Sequence, residues 1–150
     1  MDNDDLDKIL QSLNKDIRKD IKETLSNYNL FKTRIKIIKN DLEAFKLIQS
    51  CYTNKLIQLG YTKEKKEHLQ HELKQLTLIV HNINNILQRL TIREREIIIK
   101  KYILKYTWIN IANELQISVK TCQRAEQSAL NKIIKILSIL NSEVVNNEYS

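Results

Sequence analysis

The chain has 150 residues, a formal net charge of +7, one glycine and no proline. Because glycine and proline are the main helix breakers, this composition predicts an almost wholly helical protein, and the positive charge favours an anionic partner. The longest apolar runs are far too short to cross a bilayer and the first residues do not resemble a secretion signal, so we expect a cytoplasmic protein without a membrane partner.

The first predicted helix covers residues 2–26. Several aspartates lie at its start, where negative charge suits the helix dipole. Apolar residues then recur every three or four positions and form one stripe, made of Leu6, Leu10, Leu13, Ile17, Ile21 and Leu25. We expect a break at residues 27–29, although a continuous helix would also fit the pattern.

Two longer helices are predicted next. The second runs from Leu30 to Leu59 and ends at Gly60, where a left-handed residue would stop a helix. Thr62 caps the third helix, whose apolar seam alternates spacings of four and three: Leu69, Leu73, Leu76, Val80, Ile83, Leu87 and Leu90. Both helices have about 30 residues, or roughly 45 Å, which predicts an antiparallel hairpin or coiled coil.

Some surface of this hairpin remains to be explained. The apolar residues Leu78, Ile79 and Ile86 lie beside the seam, where either the first helix or a second copy of the chain could cover them. The second helix also begins with a basic cluster, Lys32, Arg34, Lys36 and Lys39. Such a cluster could contact DNA or an acidic partner, but more often it is a solvated face.

The stretch from Leu90 to Ile134 parses into three further helices. Thr91 and Glu94 form a capping box at the start of the first. Thr107 caps the second, Trp108 to Leu115, and Ser118 caps the third, which continues towards Leu140. A helix of about two turns, a tight turn and a longer capped helix is the sequence form of a helix-turn-helix.

The apolar pattern assigns an inner and an outer face to this segment. The inner face consists of Ile111, Ala112, Leu115, Ile117, Cys122, Ala125, Ala129, Leu130 and Ile133. The outer face of the third helix then carries Val119, Lys120, Gln123, Arg124 and Gln127. Arg and Gln can pair with base edges and Lys neutralises phosphate, which favours a DNA-binding face over a merely solvated one.

These residues resemble a known family. The segments L-x-x-R-E-R-x-I-I, T-W-x-x-I-A-x-x-L and A-L-x-K occur in the order found in region 4 of bacterial sigma factors, which reads the upstream promoter element. The chain resembles still more closely the phage and prophage regulators of the ArpU and RinA kind, which join a helical N-terminal half to such a helix-turn-helix. One departure is Gln116, which stands where sigma factors usually have glycine in the turn.

The resemblance implies roles for individual residues. Lys120, Gln123 and Arg124 match positions that meet bases or nearby phosphates, and Gln127 lies one turn further on. Thr107 and Trp108 match positions where the second helix meets the DNA backbone, and Ser118 and Thr121 complete the predicted site. Further phosphate-contact candidates are Arg93, Arg95, Lys100 and Lys105.

No enzyme site can be argued from the sequence. The three histidines, at positions 68, 71 and 81, lack the further ligands of a metal site. Cys51 and Cys122 give neither a metal-ligand spacing nor a convincing disulfide, so we interpret them as small apolar residues. We therefore expect no cofactor, no metal, no small-molecule substrate and no catalytic residue.

The sequence as a whole predicts an all-α protein with a long N-terminal helical hairpin and a C-terminal helix-turn-helix similar to sigma region 4. The predicted domains are residues 1–89 for dimerisation or partner binding, 90–142 for DNA binding, and a tail at 143–150. The predicted function is a phage or prophage transcription regulator that binds double-stranded DNA as a homodimer. The alternatives are a helical protein that acts on RNA polymerase and a DNA-packaging protein like a terminase small subunit.

Overall fold

The computed structural model describes residues 2–49 and 60–148, and these residues form helices and turns without any strand. This confirms the prediction of an all-α protein. The helices are α1 (Asn3–Ser26), α2 (Tyr28–Gln49), α3 (Lys63–Gln88), α4 (Ile92–Ile98), which continues into a π-helical turn (Ile99–Ile103), α5 (Trp108–Leu115) and α6 (Val119–Glu148).

The helix boundaries follow the local signals in the sequence. The chain breaks at Asn27, as expected, and α2 begins at Tyr28, two residues earlier than predicted. Thr62 caps α3 through a hydrogen bond of 3.2 Å from the Lys65 backbone N–H to its hydroxyl. Gly60 has a φ of +87°, the left-handed conformation predicted for it. The predicted end of the second helix at Leu59 lies outside the described residues.

Contacts divide the chain into two compact units, which we describe separately. One unit comprises the described residues between Tyr28 and Asn84. Its core contains Ile38, Phe45 and Leu69, against which Leu42, Tyr61, Leu73 and Leu76 pack.

Three pairs of side chains show the direction of α2 relative to α3. Tyr28 donates a hydrogen bond to Asn84 (2.8 Å), and Arg34 forms an ion pair with Glu72 (2.7 Å). Further along α2, the rings of Phe45 and Tyr61 meet edge to face with centroids 4.9 Å apart. The partner's residue number falls as the α2 number rises, so the two helices run in opposite directions. Arg34, one of the basic cluster, is thus engaged by an acidic neighbour.

The other unit comprises the described residues up to Asn27 and from Asn85 onward, and its core joins α4, α5 and α6. Ile97, Ile111, Ala112 and Cys122 form a buried cluster, and the small Ala112 and Cys122 allow α5 and α6 to approach closely. Val119, which we had assigned to the outer face, packs against this cluster instead. Val119 directly follows the cap residue Ser118, and at this first position of α6 its side chain is half-buried, so that part of the outer-face assignment is wrong.

A buried carboxylate ties the start of α4 to the middle of α6. Glu94 is 5% exposed, and its backbone and side chain complete the predicted capping box with Thr91. The same carboxylate accepts hydrogen bonds from Ser128 (2.8 Å) and Lys132 (2.7 Å). Burial alone would raise the pKa of Glu94, but the hydrogen bonds from Lys132, Thr91 and Ser128 outweigh it and lower the pKa from 4.5 to about 2.

Because this pKa is lower in the folded chain than in the unfolded chain, Glu94 stabilises the fold fully above about pH 4.5, and the contribution disappears as the pH falls towards 2. The shift corresponds to a contribution on the order of 3 kcal/mol to the free energy of unfolding.

We expect Glu94→Gln to lower the free energy of unfolding at pH 7 and to flatten the dependence of this free energy on pH between 4.5 and 2. Urea unfolding monitored by circular dichroism measures both effects. Glu43→Gln is the control, since its exposed pair with Lys46 should contribute little. Equal pH profiles for Glu94→Gln and the unaltered chain would contradict this role.

Candidate nucleic-acid interface

The segment from α5 to α6 is built from two capped helices and a three-residue turn. The Thr107 hydroxyl accepts a hydrogen bond from the Asn110 N–H (3.2 Å) and so caps α5. The Ser118 hydroxyl accepts one from the Thr121 N–H (3.1 Å) and caps α6. Both predicted N-caps are therefore confirmed, and their hydroxyls are used within the protein.

Gln116 adopts the left-handed conformation that the turn requires, with φ 55° and ψ 43°. For a residue with a Cβ, this conformation is less stable by about 1 kcal/mol. The following residue, Ile117, packs against the buried cluster and donates its backbone N–H to the Ala112 carbonyl (3.1 Å). These contacts hold the turn without the usual glycine.

Four long polar side chains lie along one face of α6. Lys120, Gln123, Arg124 and Gln127 follow the spacing of three and four residues that places side chains on the same side of a helix, and all four are exposed. The opposite side of α6 carries Cys122, Ala129 and Ile133 and is buried. Thr121 is also exposed, one residue along the helix from Lys120.

This face of α6 forms one wall of an open groove of about 930 Å³. The other walls come from α1, α5 and the π-helical turn, so the groove combines residues that are distant in sequence. Its lining includes five basic side chains, Lys22, Lys101, Lys120, Arg124 and Lys132. The acidic residue of the lining, Glu126, is buried and accepts a hydrogen bond from the hydroxyl of Tyr102. The accessible charge in the groove is therefore positive.

The pair of Tyr102 and Glu126 forms the floor of the groove. The π-helical turn carries Tyr102 inward, where burial and the hydrogen bond to Glu126 both raise the pKa of the tyrosine hydroxyl. Tyr102 thus remains a neutral donor at physiological pH. The buried acidic partner of Tyr102 was not predicted, because Glu126 lies in an otherwise polar stretch of α6.

Trp108 supports the groove from the α5 side. It is half-buried, packs against the cluster around Cys122 and lines the groove. The Lys101 ammonium lies 4.7 Å from its ring centroid, within the range of a cation–π contact. The indole is therefore held in one orientation by contacts on both sides.

Helix α1 reaches the far end of the candidate face. Arg18 donates one hydrogen bond to the Gln127 side-chain oxygen (2.7 Å) and another to Asn131. Gln127 in turn donates to Glu126 (3.2 Å). Gln127 is thus held by two neighbours, whereas Lys120, Gln123 and Arg124 lie nearer the N-terminus of α6. Arg18 and Lys22 were not predicted, because they are distant in sequence from α6 (Arg18 and Gln127 are 109 residues apart) and give no local pattern.

The further phosphate-contact candidates divide into two groups. Arg95 donates hydrogen bonds to the carbonyls of Leu87, Gln88 and Leu90, so it caps the end of α3. Its guanidinium is engaged by those backbone acceptors, and its role in phosphate binding stays a prediction. Lys100 forms an ion pair with Glu114 (2.6 Å), while Arg93 and Lys105 are exposed.

Among the described residues no group of three histidine, cysteine or acidic side chains is arranged to hold a metal ion. Cys122 is fully buried, and burial raises the pKa of its thiol, which makes it unreactive. Cys51 lies outside the described residues. No helix in the described ranges has the length and apolar character needed to span a membrane.

Comparison with models of protein families, with curated proteins and with solved structures finds no match to this chain. The resemblance to sigma region 4 and to the ArpU and RinA regulators therefore stays a prediction from the motifs.

We expect Gln116→Gly to raise the free energy of unfolding by about 0.5–1 kcal/mol, because glycine adopts the left-handed conformation without the steric cost of a Cβ. The control is Lys135→Gly, which introduces glycine at an exposed position inside α6 and should lower stability by a similar amount. Urea unfolding of both variants measures the two effects. A loss of stability in both would show that the turn is not strained.

Proposed function

We propose that this chain is a sequence-specific double-stranded DNA-binding regulator of transcription. In this proposal α5, the turn and α6 form a helix-turn-helix like that of sigma region 4, and α6 enters the major groove. The observation that carries the proposal is the exposed face of Lys120, Gln123 and Arg124 beside a groove whose accessible charge is positive.

The chemistry of the face fits base recognition. Arg124 offers a planar pair of donors for the guanine O6 and N7 atoms, and Gln123 offers the donor and acceptor that match adenine N6 and N7. Lys120 is the second residue of α6 and lies in its first turn, where it can neutralise a phosphate at the rim of the major groove. Lys22 and Lys101 extend the positive charge along the groove and fit the DNA backbone rather than base edges.

Base recognition also requires that the helix be held rigidly. Four contacts described above fix α6: the Ser118 cap, the packing of Cys122, the hydrogen bond that Tyr102 donates to Glu126, and the hydrogen bonds that Glu94 accepts from Ser128 and Lys132. Such support reduces the conformational entropy lost on binding. In this proposal four residues act mainly by positioning α5 and α6: Thr107, Trp108, Ser118 and Thr121. Of these, Thr107 and Thr121 are exposed.

The remainder of the chain has the role of a partner-binding half. We propose that α2 and α3 form the helical hairpin predicted from their seams and that the protein acts as a homodimer in the cytoplasm of a phage-infected or lysogenic bacterium. RNA polymerase is a second partner compatible with the resemblance to sigma region 4. No cofactor, small-molecule substrate or catalytic activity forms part of the proposal.

The function is tested by incubating the purified protein with fragmented genomic DNA of its source at physiological salt and sequencing the retained fragments. A recurrent motif is the expected result, and two half-sites would indicate a dimer. Uniform retention that declines with salt would mean phosphate binding alone and would contradict sequence recognition. Retention of polymerase without any DNA would favour a polymerase-binding protein instead.

On the enriched sequence, we expect Arg124→Ala to cost about 1–3 kcal/mol of binding free energy and to relax the preference at one base pair. Lys135→Ala is the matched control, since it removes an exposed cation from the same helix beyond the candidate face. Electrophoretic mobility shifts with a set of single-base variants measure both effects. An equal loss on every sequence would exclude a base contact by Arg124.

Gln127→Ala should weaken DNA binding less than Arg124→Ala, because the Gln127 side chain is already bound by Arg18 and Glu126. A loss as large as that of Arg124→Ala would mean that Gln127 leaves Arg18 to contact DNA. The same mobility-shift series distinguishes the two outcomes. Circular dichroism of the variant verifies that the helical content is unchanged.

A further inference from the structure

Helix α1 carries one apolar stripe, and the described residues of its own compact unit cover only part of the length of that stripe. At the C-terminal end, Ile21 and Leu25 are 9% and 4% exposed and lie in the unit formed with α6. Towards the N-terminus the stripe continues as Leu6, Ile9, Leu10, Leu13 and Ile17, which are between 39% and 52% exposed. Five large apolar side chains on one face of a helix are more than scattered surface residues and indicate a protein contact.

The spacing of the exposed part defines the kind of partner. Leu6, Leu10, Leu13 and Ile17 follow intervals of four, three and four, which is the seam of a two-stranded coiled coil. This seam is symmetrical when reversed, because the outer residues Leu6 and Ile17 and the inner residues Leu10 and Leu13 are evenly placed about one midpoint. An identical helix laid antiparallel would therefore pair Leu6 with the second copy's Ile17 and Leu10 with the second copy's Leu13.

The charges of α1 favour the same arrangement. Its start is acidic, with Asp2, Asp4, Asp5 and Asp7. Its second half carries the four basic residues Lys15, Arg18, Lys19 and Lys22 against three acidic ones, Asp16, Asp20 and Glu23. A parallel pair would align the acidic ends with each other, whereas an antiparallel pair places each acidic end beside a basic segment. Asp5, for example, would lie beside the second copy's Lys19.

We propose that the exposed stripe of α1 from Leu6 to Ile17 is a homodimerisation surface and that its occupant is the same stripe of a second copy, bound antiparallel. The contact is isologous, so a two-fold axis passes through its middle near Gln11 and Ser12. This inference identifies the surface through which the homodimer of the proposed function forms, but it does not depend on DNA binding.

The location of the surface has a consequence for the candidate DNA face. Arg18 follows the stripe directly and bonds to Gln127 and Asn131 on α6, so α1 connects the dimer contact to the recognition helix. The two-fold axis would relate two copies of α6 through these short connections. Two copies of the recognition helix that are related by a two-fold axis require two DNA half-sites of opposite orientation.

The first experiment is sedimentation equilibrium of the full chain without DNA, from about 1 to 100 µM, a range suited to a contact of four apolar layers. The expected result is a mass that rises from the monomer value of 17.8 kDa towards twice that value. Leu10→Lys and, separately, Leu13→Lys should each weaken dimerisation more than tenfold. Both positions are about half exposed, so the fold should tolerate the substitutions, which circular dichroism verifies.

The matched control is Leu78→Lys, which replaces an apolar residue of α3 that is 58% exposed with lysine. It should leave dimerisation unchanged. A monomer at every concentration would overturn the proposal, as would a dimer that dissociates with Leu78→Lys and not with the α1 variants. Because DNA is absent, a failure here leaves the retention of specific DNA as a separate result.

The orientation is tested with Asp4→Asn/Asp5→Asn. In an antiparallel pair this change removes attraction, so the dimer should weaken about two- to fivefold at low salt and less at high salt. In a parallel pair the same change removes repulsion and strengthens the dimer. Strengthening would therefore overturn the antiparallel arrangement.

Discussion

The buried carboxylate of Glu94 is the contact on which the C-terminal unit depends. It closes the first turn of α4 and, on its other side, holds Ser128 and Lys132 of α6. A carboxylate that is 5% exposed is stable here because both of its oxygens accept hydrogen bonds, from Thr91 and Lys132 on one oxygen and from Ser128 on the other. The long helix α6 is thereby positioned by a charged contact at its middle and by apolar packing at Cys122 near its start.

This positioning explains why one face of α6 can serve recognition. The buried side of the helix is engaged by Cys122, Glu126, Ala129 and Ile133, so Lys120, Gln123 and Arg124 have no alternative but to face solvent. The proposed recognition of DNA needs such a fixed presentation, because hydrogen bonds to base edges tolerate little displacement. The caps at Thr107 and Ser118 contribute in the same way, by determining where α5 and α6 begin.

The two ends of helix α1 have different surroundings. Its C-terminal part buries Ile21 and Leu25 and places Arg18 and Lys22 beside α6. Its N-terminal part leaves an apolar seam exposed, on which the proposed antiparallel dimer rests. A single amphipathic stripe can do both, because a helix keeps the same face over its whole length while its surroundings change.

The sequence by itself determined the elements that depend on neighbouring residues. The helical class, the break at Asn27 and the capping box at Thr91 all follow from local chemistry, and the structure agrees with each. The polar face of α6 also follows from periodicity alone. Only the tertiary structure decided contacts between distant residues: Arg18 with Gln127, Glu94 with Lys132, and Tyr102 with Glu126. In the tertiary structure Val119 also packs against the buried cluster, and Arg95 donates hydrogen bonds to backbone carbonyls. No local pattern encodes these, because a side chain's partner depends on which helices the buried core brings together.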